Sequence, residues 1–105
     1  MCGRYGFALG EFREIKLRFN IGGDLPLFSP RYNIAPTQPA PVIANFEGEN
    51  RLGLFQWGLV PSWAKDVSIG NRMINARGET LAEKPSFKRL LKNRRCLVLA
   101  SGFFE

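Results

Sequence analysis

The sequence predicts a β-rich α+β domain with short helices, and three observations carry that prediction. Strand-like apolar segments recur along the chain, helical spacing is confined to a few brief stretches, and Gly and Pro punctuate the remainder. With 105 residues, 45% of them hydrophobic and 23% charged, the chain has the make-up of one globular domain over 1–105. A chain this long buries a core without disulfide staples.

The elements follow in order. RYGFAL (residues 4–9) alternates weakly and reads as a first strand. In GEFREIKLRFN, Phe12, Ile15 and Phe19 fall at helical spacing, so a short amphipathic helix comes next. GGDLPLFSPRYNIAPTQPAP is rich in Gly and Pro and reads as a long irregular stretch, with Phe28, Tyr32 and Ile34 packing it down. APVIANF (40–46) and RLGLFQWGLV (51–60) are strand-like, with Glu47-Gly48-Glu49-Asn50 as the hairpin turn between them. PSWAKDVSIGNRMINAR begins as loop, presents Trp63 and Lys65, and tightens into an apolar RMI. GETLAEK opens a helix, and Pro85-Ser86 restart one through SFKRLLKN. RRCLVLASGFFE reads as a buried strand, a turn and then Phe103-Phe104-Glu105. Two phenylalanines at that point look like an interrupted strand, which predicts a fragment of a longer domain.

Composition narrows the function. Cys2 and Cys96 form no C-x-x-C pair and no signal-peptide pattern precedes them, which predicts a reducing, cytoplasmic setting. No apolar run reaches membrane-spanning length, so no membrane partner is expected. Histidine is absent and two cysteines are too few for a zinc site, so neither metal nor other cofactor is expected. The net charge is +6, which favours a polyanion such as nucleic acid but equally fits a basic soluble protein. The oligomeric state stays open.

The opening MCGRYG sets the chemical question. Loss of Met1 would leave Cys2 with a free α-amine beside its thiol, a 1,2-aminothiol. Such a pair condenses with an aldehyde to an imine and closes to a thiazolidine, and both groups supply some nucleophile near neutral pH. The other reading of Cys2 is a small residue that merely packs. An aldehyde chemistry also needs a proton donor, and Glu105 after Phe103-Phe104 is the candidate by type, unless it is an ordinary surface carboxylate. Asn75 and Arg77 face one way if MINAR is extended, a pair suited to phosphate or sugar oxygens, or else a cap beside a solvated Arg.

Aromatic and basic residues interleave at Trp57, Trp63, Lys65 and Arg72, with Arg94-Arg95 further on. Stacking faces beside cations suit single-stranded nucleic acid. Trp57 lies inside a strand and reads as core, whereas Trp63 reads as exposed. Lys88-Arg89 reads as a solvated helix face, and Cys96 as a buried strand residue without chemistry.

MCGRY, RYNIAPTQ, WGLVPSWAKD, INARGET and RRCLVLASGFFE, in that order, give the chain its resemblance to the SOS response-associated peptidase (SRAP) family. The resemblance runs from the first residue to the last and covers about the N-terminal half of that family's domain. It implies a β-rich α+β fold whose later strands complete the sheets. It also implies that Cys2 forms a thiazolidine crosslink with an abasic site in single-stranded DNA, in the DNA-damage (SOS) response. By the same resemblance Asn75 orients the sugar and the crosslink, and Glu105 serves as acid and base. Arg77 meets the neighbouring phosphate, Gly3 and Arg4 line the pocket with Arg4 on the backbone, and Trp63 helps hold splayed DNA. The implied setting is cytoplasmic and nucleoid-associated, and the implied peptidase action is self-removal of Met1. One departure stands out: the family's catalytic histidine has no counterpart in a chain without histidine.

Two other readings share parts of the pattern. Class II glutamine amidotransferases also begin Met-Cys-Gly and use an N-terminal cysteine, but they continue with Ile where this chain has Arg4-Tyr5. A truncated module that binds DNA without crosslinking would show salt-dependent binding and no covalent product.

Overall fold

The computed structural model of the protein describes residues 2–8 and 12–104. Six strands form two antiparallel three-stranded sheets, with short helices around them. The first sheet has the order β2-β1-β6, built from β1 (Arg4–Phe7), β2 (Arg31–Ile34) and β6 (Gly102–Phe104). The second has the order β4-β3-β5, built from β3 (Pro39–Phe46), β4 (Glu49–Gln56) and β5 (Cys96–Val98). Helix α1 spans Arg13–Arg18, and α2 (Pro85–Lys88) and α3 (Leu90–Asn93) follow later in the chain. The α+β class is therefore as the sequence reads.

The core gathers where α1 meets β1 and β2. Phe12, at the N-cap of α1, and Ile15 within it turn inward, and Phe7 stacks on Phe12 with ring centroids 5.9 Å apart. Ile34 is wholly buried and pairs with Tyr5 across β1 and β2. Tyr5, Phe7, Ile21, Ile43 and Leu52 complete the same cluster, so one apolar centre joins both sheets. Each such side chain contributes roughly 1.5–3 kcal/mol when fully removed from water.

Several boundaries differ from the sequence-based expectation. RYNI forms β2, although its Gly- and Pro-rich context suggests irregular structure; pairing with β1 overrides local propensity. Within it Tyr32 points outward and is exposed, while Phe28 packs against the core as expected. The hairpin turn is tighter than four residues. Glu47 and Gly48 alone make it, with φ of 51° and 83°, the two left-handed positions that match the twist of the flanking strands. Asn45 steadies the turn by accepting from the Gly48 N–H at 3.1 Å.

The second hairpin strand stops at Gln56 instead of reaching Val60. Gly58 has φ of 134°, and a Cβ built there would lie 2.3 Å from the Gly70 carbonyl oxygen. Only glycine permits that approach. It brings the 3-10 helix at Val67–Asn71 against the end of β4 and sets up the next segment of chain. In the helical region Pro85 occupies the first turn of α2, as the sequence predicts, while Gly78–Thr80 closes into a 3-10 turn only.

The last two strands form where the sequence places them, but not buried. Every residue of β5 and β6 is exposed, including Leu97, Val98, Phe103 and Phe104. Cys96 is likewise exposed. Each strand has a partner along one edge only, so apolar character there finds no cover among the described residues.

Candidate active site

Residues far apart in sequence meet at the N-terminus. The Asn75 side-chain amide donates to the Cys2 carbonyl oxygen at 2.9 Å, joining residues 73 positions apart. The Cys2 thiol is half-buried and lies 3.4 Å from the Arg4 carbonyl oxygen, its acceptor. Cys2 thus has its main chain held from one side and its sulfur directed from the other.

Asn75 is placed by the chain before it. The Leu59 N–H donates to the Met73 carbonyl oxygen at 2.9 Å, and the Trp57 indole N–H donates to the Ile74 carbonyl oxygen at 2.9 Å. These two bonds fasten the segment 73–75 to the exit of β4, and the close contact of Gly58 with Gly70 makes room for both. The Trp57 ring meets Tyr5 edge-on, with centroids 5.5 Å apart and planes at 61°. Trp57 therefore couples β1, which carries the residues after Cys2, to the irregular segment that carries Asn75. Sequence reading gave it a core role alone. The signal was the Trp57-Gly58 pair, whose glycine ends a strand that the apolar pattern continues.

Cys2, Tyr5, Val42, Trp57, Cys96 and Phe103 border a cavity of about 500 Å³ with almost wholly apolar walls. A size of this order suits a small ligand or a single extruded sugar. Burial raises the Tyr5 hydroxyl above the usual phenol range; the nearby Cys2 adds to that, and Arg31 opposes it. The Cys96 thiol is raised by burial as well, although the residue is exposed by area. Apolar walls crowd the cavity side of Cys96, and its exposed area lies on the open side of β5.

The other predicted site residues fall in three places. Gly3 and Arg4 are exposed, and neither forms part of the cavity wall. Arg77 is exposed and extended, at the start of the 3-10 turn Gly78–Thr80. Among the described residues the salt bridge present joins Arg51 to Glu49, so neither Arg4 nor Arg77 meets a carboxylate there. Trp63 is 59% exposed and borders a different cleft, so the interleaved aromatic and basic residues do not form one surface. Trp57 turns inward while Trp63 turns out. Glu105 lies outside the described residues. Phe104, before it, pairs with Arg4, so β6 runs antiparallel to β1 toward the Cys2 end. Among the described residues no group of three or more Cys, Asp or Glu is placed to hold a metal ion.

A cysteine just ahead of the first strand, tethered by an asparagine from an INAR segment, defines the class. The family described as SOS response associated peptidase (SRAP) matches residues 1–105, and the chain belongs to that family. Among its relatives, the abasic site processing protein YoqW of Bacillus subtilis (strain 168) is 50% identical over 107 residues, covering 100% of this chain and 47% of YoqW. The abasic site processing protein HMCES of Xenopus tropicalis is 34% identical over 95 residues, covering 79% of this chain and 28% of HMCES. The abasic site processing protein YMR114C of Saccharomyces cerevisiae (strain ATCC 204508 / S288c) is 41% identical over 81 residues, covering 75% of this chain and 22% of that protein. The chain spans about half the length of the Bacillus relative, and less of the others.

Proposed function

We propose that this chain supplies the nucleophilic part of an abasic-site processing domain acting on single-stranded DNA. The observation that carries the reading is the 2.9 Å bond from Asn75 to the Cys2 carbonyl, which unites the two motifs that the chemistry requires. The names of the relatives support the substrate class, since each is an abasic site processing protein.

The reaction begins when Met1 is removed and the Cys2 α-amine is free. That amine adds to the aldehyde carbon of the ring-opened abasic sugar, giving a carbinolamine. Loss of water, with a proton delivered to the departing oxygen, gives an imine. The Cys2 thiolate then adds to the imine carbon, the nitrogen takes up a proton, and a thiazolidine ring closes. One water leaves overall.

Each residue has a part in this sequence. Asn75 fixes the Cys2 main chain, so that amine and thiol approach the same carbon; such positioning replaces a search through many rotamers. Glu105 is assigned the proton transfer on two grounds, the family resemblance and the direction of β6 toward Cys2. Apolar walls border Cys2 on its cavity side, where the sugar would sit. Arg77 and Arg4, exposed near this end of the fold, take backbone phosphates. A single strand is preferred because pairing hides the sugar and stiffens the backbone.

The test is intact mass after incubation with a single-stranded oligonucleotide carrying one abasic site. The expected product is protein lacking Met1 plus the oligonucleotide, less one water. Cys2→Ala should abolish it and retain weak DNA binding. A Cys2→Ser protein that crosslinked as stably as wild type would refute the thiazolidine. Salt-dependent binding with no covalent product, in protein lacking Met1, would leave a DNA-binding module instead.

A further inference from the structure

The cavity beside Cys2 is more apolar than an abasic sugar requires. Its walls come from both sheets. Ala40 and Val42 of β3 share one face with their paired neighbours, Phe55 of β4 and Val98 of β5. Tyr5 and Phe103, paired across β1 and β6, border it from the other sheet. Among the described residues around its volume of about 500 Å³ none is charged, and Gln56 is the one side-chain amide. The indole N–H of Trp57 is taken by the Ile74 carbonyl oxygen, so that ring offers the cavity its apolar surface.

A ring-opened sugar uses such a space only at its aldehyde end, since its hydroxyl and phosphate oxygens find no charged partner on these walls. An alkyl chain gains from the same transfer, about fourfold in affinity for each methylene buried. Phe55 and Val98 are 48% and 55% exposed, so one side stays open to a long substrate and covers its tail in part. Cys2 borders this space half-buried, with its main chain held by Asn75. A 1,2-aminothiol reacts with aldehydes as a class, and the space around the formyl carbon selects among them.

From this we infer that Cys2 also captures medium-length apolar alkanals, whose hydrocarbon tail lies along Val42, Phe55, Val98 and Phe103. The Cys2 amine adds to the formyl carbon, and the carbinolamine loses one water to give an imine. The thiolate then adds to the imine carbon while the nitrogen takes up a proton, and no other reactant is consumed. The inference rests on the function proposed above in one respect, a Cys2 α-amine freed of Met1, and needs no DNA. One nucleophile serves both substrates, so a captured alkanal blocks crosslinking.

The experiment incubates the full chain with propanal or octanal and follows the adduct by intact mass. Free cysteine is the reference for the intrinsic reactivity of each aldehyde. The expected product is protein lacking Met1 plus the aldehyde, less one water, and Cys2→Ala should leave only lysine imines that dialysis removes. Relative to free cysteine, octanal should react roughly 10- to 50-fold faster than propanal, with about half of its five additional methylenes covered. Phe55→Thr combined with Val98→Thr should lower that preference about threefold or more. Both side chains are exposed and threonine suits strands, and circular dichroism checks the fold. Prior treatment with octanal should prevent crosslinking to the abasic oligonucleotide. A ratio equal to that of free cysteine, or one untouched by the double variant, would overturn the inference and leave the abasic-site chemistry standing. A preference lost as protein concentration rises would overturn it in favour of a second copy covering these walls. Octanal adducts without oligonucleotide crosslinks would support it and refute the abasic-site reading. Protein unmodified by either aldehyde would overturn both, since the aminothiol they share would be absent.

Discussion

Replacing Trp57 with Phe separates two tasks of one side chain. Phenylalanine keeps an aromatic edge for Tyr5, whose ring centroid lies 5.5 Å from that of Trp57, but it has no N–H for the Ile74 carbonyl oxygen. Ile74 is half-buried, so its carbonyl regains water only in part. A hydrogen bond of this kind contributes about 0.5–1.5 kcal/mol net, and more when its partner is stranded. Trp57 borders the open Cys2 cavity, so the volume lost opens onto existing space and adds little as a new void. The expected cost is about 1–2 kcal/mol, read as a fall in Tm of roughly 5–10 °C for a domain of this size. The effect should reach the site as well as the fold. The Leu59 amide, which donates to Met73 in the same fastening, should exchange faster with solvent, and crosslink formation should slow about tenfold as Asn75 loosens. Combining Trp57→Phe with Asn75→Ala should slow crosslinking no further than Asn75→Ala alone, because both act through one tether. Additive rate losses in the double variant, or a Trp57→Phe protein with unchanged Leu59 exchange, would refute the positioning role.

Other outcomes follow from the same geometry. Gly58→Ala should destabilise the fold by about 2–3 kcal/mol, because its φ of 134° and the Gly70 carbonyl 2.3 Å from the new Cβ both oppose a side chain; thermal melting checks it. Asn75→Ala should slow crosslinking about 10- to 100-fold with little change in Tm, since its bond to Cys2 is exposed. Arg77→Ala should weaken oligonucleotide binding and reduce its salt slope by about 0.7, one phosphate contact. The Tyr5 hydroxyl is raised on folding, so its contribution is complete below the ordinary phenol range and is lost as pH rises through the folded value. Urea melts should therefore show stability falling as pH climbs beyond about 10, and Tyr5→Phe should remove that part of the decline.

How much of this was legible in the chain divides along physical lines. Local pattern was enough for the existence of the hairpin, because two apolar runs flank a polar break containing glycine, but not for its turn, which Glu47 and Gly48 close alone in the left-handed region. It was enough for α1, where Phe12 and Ile15 share a face, and for Pro85 at the start of α2. Motif order alone identified the family and singled out Cys2, Asn75 and Arg77. It could not place β2, whose residues become a strand only when β1 lies beside them.

Burial was the least legible property. Leu97, Val98, Phe103 and Phe104 are apolar by type yet exposed, because burial depends on what covers a strand and not on the strand. The two tryptophans make the same point. Both lie in one WGLVPSW stretch, but Gly58 turns the chain between them, so Trp57 joins the Cys2 site and Trp63 a different cleft. Sequence by itself determined which residue types were available for chemistry: a thiol second in the chain, an amide, guanidiniums and aromatic rings. Only tertiary structure decided their company, since a 2.9 Å bond spanning 73 positions exists when the intervening strands, turns and glycine contact are all formed, and not before.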